Sequence, residues 1–77
     1  MNKEKLNIIV SNNIKKYRKE KQISKVKLSF LTKISISTIN DIENNTYKKD
    51  ISIIMLYKIS KVLNIPINNF FEDKNDK

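Results

Sequence analysis

Apolar residues recur along this chain at intervals of three and four, in blocks that repeatedly begin the same way. The stretch LNIIVSNNIKKYRKEK sets Leu6, Val10, Ile14 and Tyr17 on one helical face, which predicts a first helix from about Glu4 to Lys21. Further on, SIIMLYKISKVLN repeats apolar residues at Ile53, Leu56, Ile59 and Leu63, predicting a helix of about three turns. Between and before these lie ISKVKL, ISISTI and ISIIML, beginning at Ile23, Ile34 and Ile51. In each, a serine precedes an apolar periodic segment, and its side-chain oxygen is placed to accept from an otherwise unpaired backbone N–H at a helix start. The isoleucine before that cap is placed to pack on the fourth helical residue. The expected pairs are Ile23 with Leu28, Ile34 with Ile39, and Ile51 with Leu56. A weaker copy, IPINNF, pairs Ile65 with Phe70 and has Pro66 in place of the serine; proline supplies no side-chain cap but suits the beginning of a helix.

Caps at Ser24 and Ser35 lie eleven residues apart, enough for a helix of about two turns and a tight turn before the next helix. Short helices joined so closely cross steeply, which is the layout of a helix-turn-helix over about Ser24 to Asn45. The expected architecture is all-α, with five helices and no strands over residues 1–72 and a polar tail, 73–77, that is too polar to pack. Asn45 and Asn64 fall just past expected helix ends, where asparagine is the best substitute for glycine in a left-handed conformation. Gln22 and Lys33 occupy the equivalent places after the first two helices.

Composition narrows the chemistry. The 77 residues contain no Cys, no His and no Gly, so disulfides, thiolate or imidazole metal sites and glycine-rich phosphate loops are excluded, and no cofactor is expected. An enzyme is disfavoured for the same reasons. Sixteen basic residues against eight acidic give +8, a balance that favours a polyanionic partner. No apolar run approaches the roughly 18 residues of a membrane span, and the amino-terminal apolar stretch is too short for a signal-peptide core. The protein is therefore expected to be cytoplasmic.

Position matters more than abundance. On the third helix Ile39 and Ile42 point to one side, while Ser37, Asn40, Asp41 and Asn44 form an i, i+3, i+4, i+7 set on the other. An ordinary solvated face carries better helix formers such as Lys, Glu and Gln, whereas short polar side chains are suited to base edges in a major groove. The second helix opens Ser24-Lys25-Val26-Lys27, placing cations at the positive end of a helix dipole; a docked phosphate would turn this from a cost into a gain. Tyr47, Lys48 and Lys49 after the third helix add further hydrogen-bonding and cationic groups. Arg18 is the only arginine among the basic residues. Its planar fork is matched to a carboxylate, and Glu43 is the candidate partner, linking first and third helices.

With these residues in place, the chain resembles the phage-repressor and Cro-like (XRE) helix-turn-helix family over about Val10 to Phe71. IKKYRKEKQIS is similar to the family's first helix, SKVKLSFL to its second, ISISTINDIENN to its third, and SIIMLYKISKVLNIPINNFF to its closing pair. The resemblance implies a five-helix, lambda-repressor-like domain that regulates transcription, usually as a dimer on a palindromic or repeated operator. By position it implies base reading by Ile36, Ser37, Asn40 and Asp41, phosphate binding by Lys25 and a buried Arg18–Glu43 pair. Ser29 stands where the family usually has alanine, and Lys33 where it has the turn glycine. The function expected is a sequence-specific, double-stranded-DNA-binding regulator, a repressor, with Asn44 also on the reading face and Ser24, Lys27 and Tyr47 to Lys49 on phosphates. A homodimer is expected to form through the surface of the fourth and fifth helices, around Ile65 to Phe71. The rival is a helical protein-binding module, such as an antitoxin or immunity-type protein, whose basic surface serves an acidic protein.

Overall fold

In the computed structural model, which describes residues 2–73, four α-helices and one 3-10 helix follow in order. They are α1 (Lys3–Glu20), α2 (Lys25–Thr32), α3 (Ile36–Glu43), α4 (Ile53–Leu63) and a 3-10 segment at Ile67–Phe71. No strand occurs among the described residues. Each repeated serine caps its helix: the N–H groups of Lys27, Thr38 and Met55 donate to Ser24, Ser35 and Ser52 Oγ at 3.0, 3.2 and 3.1 Å. Asn2 does the same for α1 through Lys5 N–H at 2.8 Å. The stapling residues converge on one core, in which Leu28, Ile39, Leu56 and Phe70 are buried and Ile23, Ile51 and Ile65 pack against them.

All four helix-ending positions carry positive φ: Gln22 (58°), Lys33 (63°), Asn45 (61°) and Asn64 (56°). Backbone bonds close these ends, including Ile23 N–H to Arg18 O and Ile65 N–H to Ser60 O, both 3.1 Å. A left-handed conformation costs a residue with a Cβ about 1–2 kcal/mol, least for asparagine.

The closing element corrects the expected fifth α-helix. Pro66 enters it without a side-chain cap and the element spans only Ile67–Phe71. A side chain from α1 then takes over its end. Asn13 Nδ2 donates to the carbonyls of Phe70 (2.7 Å) and Glu72 (2.8 Å), so these acceptors are satisfied without another helical turn. Phe70 is fully buried and meets Tyr17 edge to face, ring centroids 6.2 Å apart.

Two residues expected in the core are on the surface. Leu6 is 36% exposed and Ile53 63% exposed; each lies in the first turn of its helix, on the open side of a groove they share with Ile51 and Phe71. Ile9 supplies the burial expected of Leu6. Asp73, assigned to the polar tail, is half-buried, and 74–77 lie outside the described residues.

Replacing Gln22 by glycine removes the Cβ penalty but adds freedom to the unfolded chain. Gln22→Gly is expected to stabilise by about 0.5–1 kcal/mol and raise Tm by a few degrees, with Asn64→Gly near neutral. Thermal unfolding followed by circular dichroism checks the difference; equal shifts would show that φ at Gln22 carries no strain.

Candidate nucleic-acid interface

The candidate reading face rests on a turn built without glycine. Residues 33–35 join α2 to α3, and side chains hold them: Ser29 Oγ donates to Ile34 O at 2.6 Å, and Ile34 N–H donates to Thr32 Oγ1 at 3.2 Å. Thr32 Oγ1 in turn donates to Leu28 O at 2.7 Å. Lys33, at φ 63°, is thereby fixed on both sides, and its ammonium lies 4.7 Å from the centre of the Phe30 ring.

On α3, Ile39 and Ile42 are buried at 1% exposure each, while Ser37 and Asp41 are exposed and Asn40 is half-buried. Ile36, at the first helical position, is 39% exposed. Asn44 does not lie within the helix; it is the C-cap, exposed, with its N–H donating to Asn40 O at 2.9 Å. Asp41 is already engaged locally. Thr46 Oγ1 contacts its carboxylate and its carbonyl at 3.3 Å each, and Thr46 N–H donates to the same carbonyl at 2.8 Å. The carboxylate therefore helps to hold the loop that leads to Tyr47.

Around this face, Ser24 and Lys27 are exposed and Lys25 is half-buried at the start of α2, where no acidic residue occupies the first turn. Lys48 and Lys49 are exposed and Tyr47 is half-buried, packed against the core.

The Arg18–Glu43 pair is interior rather than superficial, with side chains 9% and 0% exposed. Arg18 Nε donates to Glu43 Oε2 at 2.6 Å and Nη2 to Oε1 at 2.9 Å, a bidentate side-on fork. Its Nη1 donates to Ile23 O at 2.8 Å. One guanidinium thus ties α1 to α3 and to the turn that precedes α2.

Sequence reasoning missed the roles of Ser29, Thr32 and Thr46. Each is a small polar residue whose acceptor lies four or five residues away, and no periodic pattern distinguishes it from an ordinary surface hydroxyl. Among the described residues, no group of three acidic, His or Cys side chains could hold a metal ion, and no helix is long and apolar enough to cross a membrane.

A protein-family model described as helix-turn-helix matches residues 14–70. No curated protein sequence matches the chain.

Removing either partner of the ion pair leaves an uncompensated buried charge. Arg18→Ala and Glu43→Ala are each expected to cost about 3–5 kcal/mol, while the double change Arg18→Met with Glu43→Leu costs much less. Urea denaturation tests this; single losses below about 1 kcal/mol would fit a surface pair instead.

Proposed function

The chain belongs to the XRE-type helix-turn-helix family of DNA-binding transcriptional regulators, and from that premise we propose that it is a sequence-specific repressor acting as a homodimer on duplex DNA. The observation that carries this reading is the two-sided character of α3. One side is locked into the core through Ile39, Ile42 and Glu43, while the other presents short polar groups on a rigid, internally satisfied helix.

In this reading α3 enters the major groove. Ser37 and Asn40 hydrogen-bond base edges; Ile36 meets a thymine methyl, and Asn44 reads from the C-cap. Asp41 accepts from a cytosine amino group or from Thr46, and its bonds to Thr46 favour a role in holding the loop. The α2 N-terminus binds phosphate through Ser24, Lys25 and Lys27, because exposed N–H groups and ammonium groups then face one anion. Tyr47, Lys48 and Lys49 contact the backbone on the other side of the reading helix. Residues 1–72 form the DNA-binding domain. Dimers of such domains place their reading helices on half-sites about 34–36 Å apart, so the operator is a palindrome.

The energetic roles differ. Phosphate contacts supply affinity that falls with salt, and base contacts supply discrimination. Selection from randomised duplexes at about 150 mM salt, followed by titration of the enriched site, tests the assignment. Lys25→Glu is expected to weaken binding to all sequences and to flatten the salt dependence by about one unit or more of slope. Ser37→Ala is expected to cost about 1–3 kcal/mol on the selected site alone. If both variants bind like the parent, this docking is wrong.

A further inference from the structure

Next to the loop that carries Tyr47 and Lys49, the molecule has an apolar groove built by α1, the start of α4 and the 3-10 segment. Leu6 and Val10 of α1, Ile51, Ile53 and Leu56 at the start of α4, and Phe71 of the 3-10 segment line a cavity of about 150 Å³. Small-molecule sites usually run to about 300–1,000 Å³, so this cavity has the scale of a single inserted side chain. Three of its walls are also its rim: Ile53 is 63% exposed, Phe71 40% and Leu6 36%. The α1 wall lies in residues 3–13, ahead of the stretch that the helix-turn-helix family model matches.

Charge identifies the occupant. The chain carries +8, so two copies repel over most of their surfaces. The elements that build the groove are different. Near it lie Lys3, Lys5 and Lys49 as well as Glu4, Asp50 and Glu72, and Lys3 pairs with Asp50 at 3.2 Å. A rim of mixed sign is a poor site for DNA and a permissive one for a like-charged chain. Both signs also suit a two-fold contact, in which the same patch meets itself and a lysine of one copy can face an acid of the other.

We propose that this groove is the homodimer interface, with Ile53 of each copy inserted between Leu6 and Phe71 of the other. The proposal rests on the dimeric reading above, keeps α4 and Phe71 from the expected surface and adds the start of α1 to it. Ile53 is both a protruding side chain and a wall of the cavity, which is the self-complementarity that an isologous contact requires. The most exposed apolar pair, Val26 and Phe30 at 71% and 69%, lies on α2 among Lys25, Lys27 and Lys33, where two copies would bring like charges together.

The chain has no cysteine, so a single introduced thiol reports contact between copies directly. Under mild copper–phenanthroline oxidation, Ile53→Cys is expected to yield disulfide-linked dimers at concentrations where Val26→Cys stays monomeric. In sedimentation equilibrium, Ile53→Lys is expected to weaken self-association by about tenfold or more, while its affinity for a duplex carrying one half-site stays within about twofold of the parent. Equal cross-linking at the two positions, an unchanged association constant for Ile53→Lys, or a parent that stays monomeric both free and on a full palindrome would each overturn the proposal. Half-site binding by the parent separates these failures from failure of the DNA-binding reading, which alone would abolish it.

Discussion

The placement of α3 depends on one guanidinium. Arg18 directs two N–H groups at Glu43 on α3 and a third at the Ile23 carbonyl, so three segments share a single planar hub. A lysine at this position could neutralise Glu43 but could not impose direction, because an ammonium is a point charge on a flexible stem. Burial makes the arrangement exacting. Both side chains leave water, and their attraction repays that desolvation only when the geometry is good and the remaining donors find partners. Here they do: among the described residues, no buried side-chain nitrogen or oxygen lacks a hydrogen-bond partner. The pair is better understood as fixing the angle of α3 than as adding net stability, since well-packed apolar replacements for such pairs are often no less stable.

The remaining polar interior follows the same logic at smaller scale. A domain of this size hides only about 60% of the surface its unfolded chain exposes, so its apolar core cannot by itself specify every helix position. Ser29 and Thr32 orient the α2–α3 turn, and Asn13 fastens the closing segment to α1. Each bond contributes roughly 0.5–1.5 kcal/mol when made, but costs about 1–3 kcal/mol if one partner is left buried and unpaired. That asymmetry penalises misplaced helices more than it rewards correct ones.

Local features were the ones legible in the sequence. Serine caps, the stapling isoleucines and the left-handed residues at Gln22, Lys33, Asn45 and Asn64 are determined within a few residues, and the structure has each where periodicity and capping chemistry place it. What depends on distant partners was not legible. Helical spacing shows that Leu6 and Ile53 share faces with core residues, but not that nothing covers them. Pattern alone cannot reveal that Asn13 would reach carbonyls 57 and 59 positions away, which is why the last element looked like an α-helix. The candidate site divides in the same way. The polar row on α3 could be read from its spacing, whereas the hold of Thr46 on Asp41 needed the path of the loop.

The glycine-free turns also have a consequence for the state the protein leaves when it folds. Glycine loses more conformational freedom on folding than any other residue. Its absence throughout the chain means a narrower denatured ensemble, with less backbone disorder to surrender on folding. Four residues held at positive φ raise the free energy of the native state, while every position where another protein would have glycine lowers the entropy of the unfolded one. The side-chain bonds around Lys33 therefore work alongside a restriction that no contact in the folded molecule displays. Its origin is the chain's stiffness before any helix has formed.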